Sequence, residues 1–327
     1  MVAAPERGRA WGDNDLCACG ETELRLTPVT TMVDPLGDQR RQDPASAPAR
    51  RGGITPPLST ANKDLAVRSE RLFFLLAYTL SWSIWVPVTF AGDDLSALHH
   101  LAIGIGAAGP SLAGVICTAK DEGQTGVRRL FASLVRWRLA GRWYALCVVG
   151  PLAVALTAVA LHRLAVGDDA KFHLEMATLV LTAPLLLVGL FIGPLQEELG
   201  WRGYALPRLI DRWSSVPAAL VLGVAWACWH LPLYAIAAGG QDRAPLAAFL
   251  ISVIALSLLY TWFWTVTSGS LVVALLLHSS TNAGAVVLLR DARSDFGPSI
   301  LATFLTVCLA VAAARHLRAG GQALAKP

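Results

Sequence analysis

The chain has 327 residues, of which 54% are hydrophobic and 15% are charged. A soluble domain carries about 25% charged residues, so this composition excludes an ordinary soluble protein. The net charge of +4 is small, and no nucleic-acid partner is expected. Past residue 70, apolar runs of about 20 residues recur, the length that crosses ~30 Å of hydrocarbon as a helix. The composition therefore predicts an all-α, polytopic membrane protein.

Residues 1–68 differ from the rest of the chain. They are rich in Pro, Arg, Asp, Ser, Thr and Gly and show no hydrophobic periodicity. Such a segment cannot bury enough apolar surface to offset its chain entropy, so it is predicted to be a disordered cytoplasmic tail. Residues 69–318 are predicted to form the membrane domain, and residues 319–327 a short flexible C-terminal tail.

About eight apolar spans are predicted in the membrane domain. They cover residues 72–91, 99–118, 143–165, 176–195, 215–236, 246–267, 270–289 and 298–315. The sixth and seventh are separated only by Ser268 and Gly269, which indicates an antiparallel hairpin. The second span contains four glycines that we expect to allow close helix packing: Gly104, Gly106, Gly109 and Gly114.

Basic residues are distributed unevenly between the two sets of loops. With eight spans, both termini fall on the side that carries the basic loop at residues 119–142 and Arg202, Arg208 and Arg212. The opposite loops carry fewer basic residues. Because basic loops remain in the cytoplasm, we predict a multi-pass protein of the cell membrane with both termini cytoplasmic.

The basic loop contains a pattern of its own at residues 127–139. Five apolar residues recur there at helical spacing against arginines: Leu130, Phe131, Leu134, Val135 and Leu139. This pattern suits an amphipathic helix that lies on the anionic cytoplasmic leaflet of the lipid bilayer. The alternative is that the loop serves only as a topological anchor.

Two adjacent carboxylates, Glu197 and Glu198, follow the fourth span. An ionisable side chain at bilayer depth costs about 2.5 kcal/mol or more. Successive helical residues point about 100° apart, so these two cannot both face one cavity. Glu198 precedes Arg202 by four residues, the favourable order for an ion pair, which predicts a structural salt bridge. Glu197 has Trp201 at that spacing and suits a general base; alternatively, both glutamates decorate a solvated helix end.

Two of the seven histidines lie in the interior of predicted spans, and the other five lie at span edges or in loops. His230 lies well inside the fifth span with Trp226 one turn before it, and His278 lies near the middle of the seventh with Asn282 one turn after it. Each pair shares a helix face. A lone intramembrane histidine is more often a packing contact through an interhelical hydrogen bond. Polar groups of these types on three spans indicate a site instead.

This set of side chains fits amide hydrolysis by an activated water. The sequence contains neither Gly-x-Ser-x-Gly nor His-Glu-x-x-His. Glu197 would take the proton of the water, with His230 holding that water or moving the proton. His278 and Asn282 would donate hydrogen bonds to the oxyanion. Two histidines and a glutamate are also a catalytic zinc set, so spacing alone leaves a zinc-dependent peptidase open.

Three motifs in this order resemble those of the CPBP family, which comprises CAAX proteases and bacteriocin-processing proteins. They are Glu197-Glu198-x-x-x-Arg202, Trp226-x-x-x-His230 and His278-x-x-x-Asn282, and they are similar to those of the type II CAAX prenyl endopeptidase. The second motif of the family usually begins with Phe, where this chain has Trp226. The resemblance covers about residues 70–315 and is specific over residues 194–282.

The resemblance implies an intramembrane glutamic endopeptidase that needs no metal or other cofactor. In it, Glu197 and His230 would activate water, His278 and Asn282 would form the oxyanion hole, and Glu198 and Arg202 would support the site, as Trp226 does beside His230. The expected substrate is a peptide or a membrane-associated protein, reached through a water-filled cavity open to the cytoplasm. The alternative from another class is a non-catalytic immunity or scaffold membrane protein.

The motifs leave one conflict of depth. Glu197 follows the fourth span close to the cytoplasmic face, whereas the two histidines are predicted to lie deeper. Helix tilt, or continuation of the fourth helix towards Leu206, would bring these side chains to one level.

Overall fold

A computed structural model describes residues 60–90, 96–166, 188–189, 191–236, 245–288 and 296–324. Within these ranges the regular structure is helical and contains no β-strand. The α-helices are α1 (Thr60–Val88), α2 (Ser96–Gly106), α3 (Gly109–Ala132), α4 (Gly141–Val166), α5 (Pro194–Glu198), α6 (Leu206–Trp213), α7 (Ser215–Trp229), α8 (Leu246–Val266), α9 (Leu271–Leu288) and α10 (Gly297–Leu324). A π-helix (Leu199–Ala205) joins α5 to α6, and 3₁₀ turns follow α3 (Ser133–Val135) and α7 (Leu231–Ala235).

The predicted polytopic all-α fold is confirmed. In the described part of the chain, six helical segments are long and apolar enough to cross a membrane: Val67–Val88, His99–Val135, Gly141–Val166, Ser215–Ala235, Leu246–Val266 and Gly297–Gly320. They correspond to six of the eight predicted spans. The seventh span is the helix α9, whose apolar part, Leu271–Ala285, is shorter. Most of the fourth span, 176–195, lies outside the described residues.

Helix α1 begins within the predicted N-terminal tail, and α10 continues into the predicted C-terminal tail. Helix α1 begins at Thr60 and α10 ends at Leu324, so residues 60–68 and 319–324 are helical. Both stretches continue a long apolar helix, and adding residues to an existing helix costs far less than nucleating one. Residues Pro57–Pro327 form one compact unit. Residues 1–59 and 325–327 lie outside the described part, and their predicted disorder stays a prediction.

The basic loop is helical over much of its length. Gly123, with a φ of 64°, divides α3 into two helical parts, and the second part contains residues 124–132. Its apolar residues face two ways: Leu130 is buried against Leu199 and Leu271, whereas Phe131 and Val135 are 46% and 67% exposed. A helix in this loop is therefore present, and its contact with the lipid leaflet stays a prediction.

The turn between α8 and α9 forms the predicted antiparallel hairpin. Ser268 and Gly269 have φ of 54° and 80°, the left-handed region in which glycine is unstrained. The basic loop is attached to this turn, because Arg136 Nη1 donates to the Ser268 carbonyl at 3.0 Å. Ser270 Oγ donates in return to the Arg136 carbonyl at 2.9 Å. The hairpin is thereby fixed to the end of α3.

Three of the four glycines around the second span lie at close helix contacts, as expected. A Cβ at Gly106 would lie 2.2 Å from the Trp85 ring, and one at Gly109 would lie 2.2 Å from Ser81 Oγ. A Cβ at Gly114 would lie 3.0 Å from the Cα of Gly200, which brings α3 against the π-helix. Gly104 differs, because a Cβ there would meet nothing within 4 Å.

Candidate active site

The glutamate pair lies at the start of a helical stretch. Gly193 precedes this stretch with a φ of 90°, a conformation outside the α-helical region, and Pro194 begins α5. The stretch then runs through the π-helix and α6 to Trp213. A π-helical turn is a rare feature that is frequent at functional sites. The glutamates thus lie in the first turns of a helical stretch that begins at Pro194 and continues past Leu206.

This helical stretch is held closely against α2 and α3. A Cβ on Gly200 would lie 2.1 Å from the Pro110 carbonyl oxygen, so only glycine fits at this crossing. Ser111 Oγ donates to the Leu195 carbonyl at 3.0 Å, and Gln196 Nε2 donates to the Gly104 carbonyl at 2.8 Å. Contacts on both sides of Glu197 therefore fix the backbone that carries it.

Glu198 forms the ion pair that its spacing predicted. Its Oε1 accepts a hydrogen bond from Arg202 Nη1 at 2.8 Å, and both side chains are 0% exposed. The same oxygen lies 2.8 Å from His278 Nδ1, a contact that the sequence did not predict. Removing one partner of a buried pair leaves an uncompensated charge and strongly destabilises the protein, so this pair is a structural element of the site.

The guanidinium of Arg202 lies between two aromatic rings. Its central carbon is 4.2 Å from the centroid of the Trp226 ring and 4.6 Å from that of Tyr260. Each ring face attracts the cation. Tyr260 was absent from the predicted site, although its distance from the hairpin turn could have identified it. It lies 8 residues before Ser268 and His278 lies 9 after Gly269 (268 − 260 and 278 − 269), so antiparallel helices bring the two to one level.

Glu197 has surroundings unlike those of its neighbour. It is 6% exposed, and its Oε2 accepts a hydrogen bond from Trp226 Nε1 at 2.7 Å. In the described part of the chain, no cation forms a salt bridge with this carboxylate and no group bonds its Oε1. The predicted asymmetry between the two glutamates is therefore present in their contacts: one is paired with arginine, and the other is held by a neutral donor.

His230 lies within the apolar segment Ser215–Ala235, at the point where the α-helix α7 gives way to a 3₁₀ turn. The α-helix ends at Trp229, and a 3₁₀ turn follows because Pro232 lacks the N–H that an α-helix needs. The ring is half-buried, and its Nδ1 lies 2.7 Å from the Trp226 carbonyl oxygen. A carbonyl only accepts, so Nδ1 carries the proton and the neutral ring presents Nε2 as an acceptor.

His278 is buried within α9 and contacts both other motifs. Its ring centroid lies 5.3 Å from that of Trp226, in an edge-to-face arrangement. When Nδ1–H donates to Glu198, the neutral ring has Nε2 as an acceptor. Nε2 donates to a second group only when the ring carries both protons, so an oxyanion-binding role for His278 requires an imidazolium.

Asn282 is the one predicted site residue without a contact to the others in the described residues. It lies on α9 one turn after His278, as its spacing requires, and its side chain is exposed. Glu197, Glu198, Arg202, Trp226, His230 and His278 form a connected cluster, and Tyr260 joins it. Asn282 therefore borders the cluster without being part of its hydrogen bonds.

The zinc alternative requires at least three metal-binding side chains that converge on one point. Over the ranges that the structure describes, no three His, Cys, Asp or Glu side chains are placed to hold one metal ion. One nitrogen of each histidine is engaged by a protein oxygen, Trp226 O for His230 and Glu198 Oε1 for His278. The two histidines are therefore bonded to protein oxygens through Nδ1, and their rings do not converge with a carboxylate on one point.

Comparison with known proteins places this cluster within a recognised domain. The model of the Rce1-like type II CAAX prenyl endopeptidases matches residues 179–284, a range that contains all three motifs. The chain is also 23% identical over 231 residues to "CAAX prenyl protease 2" of Methanococcus maripaludis, an alignment covering 67% of this chain and 85% of that protein. Together, the matched domain and this relative show that the chain is similar to CAAX proteases over the region that carries the three motifs.

Proposed function

We propose that this protein is an intramembrane endopeptidase in which Glu197 activates the water that attacks a peptide bond. One observation carries the proposal: Glu197 is buried, forms no salt bridge among the described residues, and is bonded by the same tryptophan that bonds His230. A carboxylate that no arginine neutralises is available to accept a proton. The family supplies the protease class, and these contacts support the glutamic mechanism.

The two histidines have different roles in this mechanism. His230 presents Nε2 as an acceptor, which suits it to hold the water or to relay its proton. His278, held by Glu198, would stabilise the oxyanion as an imidazolium, together with Asn282 one turn away. Glu198 and Arg202 form the buried pair that orients His278 and do not take part in proton transfer.

The substrate that we propose is a peptide or the tail of a membrane-associated protein, approached from the cytoplasmic side of the lipid bilayer. Trp226 and His230 lie on a helical segment long enough to span a membrane, Ser215–Ala235, so the scissile bond must be brought to groups within the membrane. No cofactor and no nucleic acid are required in this reaction.

The proposal is tested with full-length protein purified in detergent and a library of peptides, with products identified by mass spectrometry. We expect cleavage that persists when a zinc chelator is present. Cleavage that the chelator abolishes and added zinc restores would favour the zinc-dependent peptidase instead. A folded protein that cleaves no peptide, under conditions in which a control membrane peptidase is active, would favour the non-catalytic immunity or scaffold protein.

A further inference from the structure

Trp226 makes contacts that reach every motif of the cluster. It is 2% exposed, and its indole Nε1–H donates to Glu197 Oε2 at 2.7 Å. Its backbone carbonyl accepts from His230 Nδ1 at 2.7 Å. Its ring lies against the Arg202 guanidinium and the edge of His278. One residue thus contacts the proposed base Glu197, both histidines of the cluster, and Arg202 of the supporting ion pair.

We infer that Trp226 is a positioning residue for Glu197 and that its indole N–H, rather than its bulk alone, is what this chain uses. The inference deepens the proposed function and rests on it. The resembling family usually has Phe at this position, and a phenyl ring reproduces the packing against Arg202 but has no N–H. In this chain, the tryptophan therefore adds a hydrogen bond to the base that phenylalanine cannot form.

The hydrogen bond determines which carboxylate oxygen meets the water. With Oε2 occupied by Nε1–H, Glu197 has Oε1 left for a water molecule among the described residues. A carboxylate without that bond rotates about its terminal torsion, which is broad for glutamate. Because the reacting atoms must be held within a few tenths of an ångström, a rotating base reduces the rate of the chemical step.

The position of His230 depends on the same residue through the backbone. The Trp226 carbonyl fixes the proton on Nδ1 of His230, so the acceptor nitrogen Nε2 is the one directed away from α7. Substitution of the Trp226 side chain leaves this carbonyl in place. A side-chain change therefore acts on Glu197, on Arg202 and on the three rings that the indole contacts, those of His230, Tyr260 and His278.

The chain supplies a matched control three residues later on α7. Trp229 is 1% exposed, and its Nε1 has no hydrogen-bond partner among the described residues. Trp226→Phe and Trp229→Phe remove the same atoms from two buried tryptophans of one helix. Only the first removes a hydrogen bond to a carboxylate, whereas both remove part of an indole ring that contacts His230.

The test measures peptide cleavage by both variants as full-length protein in one detergent, together with their melting temperatures. For Trp226→Phe we expect kcat to fall about 10-fold to 100-fold with KM within about twofold of wild type, since a misplaced catalytic group costs on this scale. For Trp229→Phe we expect kcat within about twofold. An equal loss in both variants, or a wild-type kcat in Trp226→Phe, would overturn the inference.

A spectroscopic measurement covers the case in which Trp226→Phe does not fold. The ultraviolet resonance Raman band of the indole N–H reports its hydrogen bonding, and the wild-type minus Glu197→Gln difference isolates one of the 11 tryptophans. We expect a shift to a weaker hydrogen bond in the variant, because a neutral amide oxygen accepts less strongly than a carboxylate. Identical spectra would overturn the inference.

The two ideas fail in different ways. If Glu197→Gln cleaves normally, the proposed base is wrong, whatever the Raman difference shows. If Glu197→Gln is inactive while Trp226→Phe has the kcat of the wild type, the proposed function stands and the positioning role of Trp226 is wrong.

Discussion

Two neighbouring glutamates in this chain have different hydrogen-bond partners, and these partners indicate different roles. Glu198 is fully buried with Arg202 and His278, whereas Glu197 is bonded by an indole N–H. The spacing of four residues was sufficient to predict the Glu198–Arg202 pair. It was insufficient to predict the contact with His278, because that contact depends on which face α9 turns towards Glu198. The packing of the neighbouring helices sets that face, and the sequence of α9 alone does not.

At the scale of single residues, we predict that the ring of Tyr260 stabilises the site. Tyr260→Leu removes one of the two aromatic faces beside Arg202 and is expected to lower the free energy of unfolding by about 1–2 kcal/mol. Tyr260→Phe retains the face and is expected to remain close to wild type, since the hydroxyl forms only a 3.4 Å contact with Thr281. Denaturant or thermal melts in detergent compare the two. Equal stability of both variants would contradict the assigned role of the ring.

At the scale of secondary-structure elements, the stretch from α5 to α6 sets the position of the glutamates. Continuation of the fourth helix towards Leu206 was one of two possibilities that the sequence left open; in the structure a helix begins at Pro194, after Gly193 with its φ of 90°, and the helical stretch runs to Trp213. The π-helix over Leu199–Ala205 was not predicted, since nothing local in the sequence distinguishes a π turn from an α turn. Hydrophobic length also overestimated the α-helix at His230, where Pro232 ends it, and underestimated α1, which begins at Thr60.

We predict that the close crossing at Gly200 is necessary for the geometry of these elements. Gly200→Ala places a Cβ 2.1 Å from the Pro110 carbonyl oxygen and must displace α3 from the π-helix. We expect a loss of about 1–3 kcal/mol in stability, with a loss of cleavage activity, as for other overpacked cores. Gly150→Ala is the control, because a Cβ there meets nothing within 4 Å. A Gly200→Ala protein as stable and active as that control would show that the crossing has no such importance.

At the scale of the whole molecule, the sequence carries information about the fold in the lengths of its apolar runs and in the positions of its basic loops. They predicted the polytopic all-α fold, and six of the eight predicted spans correspond to helical segments of spanning length in the described part of the chain. The pairing of spans follows from the sequence only at Ser268 and Gly269, where a connection of two residues predicts an antiparallel hairpin. Which helices carry the motifs was readable from the sequence; which atoms meet was not, because contacts between distant helices depend on packing.

The orientation of the molecule in the membrane is a separate prediction. Both termini are expected in the cytoplasm because basic loops stay there. In bacterial cells, a fluorescent protein fused after Pro327 should fluoresce, and an alkaline phosphatase fused at the same position should be inactive. An active phosphatase fusion would place the C-terminus outside and would require an odd number of spans between the termini or a reversed orientation.

The asymmetry of the glutamate pair is the central claim, and one comparison of Glu197→Gln with Glu198→Gln tests it most directly. Both proteins are purified in the same detergent, melted, and assayed for peptide cleavage below both melting temperatures. Glu197→Gln should melt like wild type and cleave at least about 100-fold more slowly, the contribution of a general base. Glu198→Gln should lose about 3 kcal/mol of stability, since Arg202 then remains buried without its counter-charge. Wild-type cleavage by Glu197→Gln would contradict the claim.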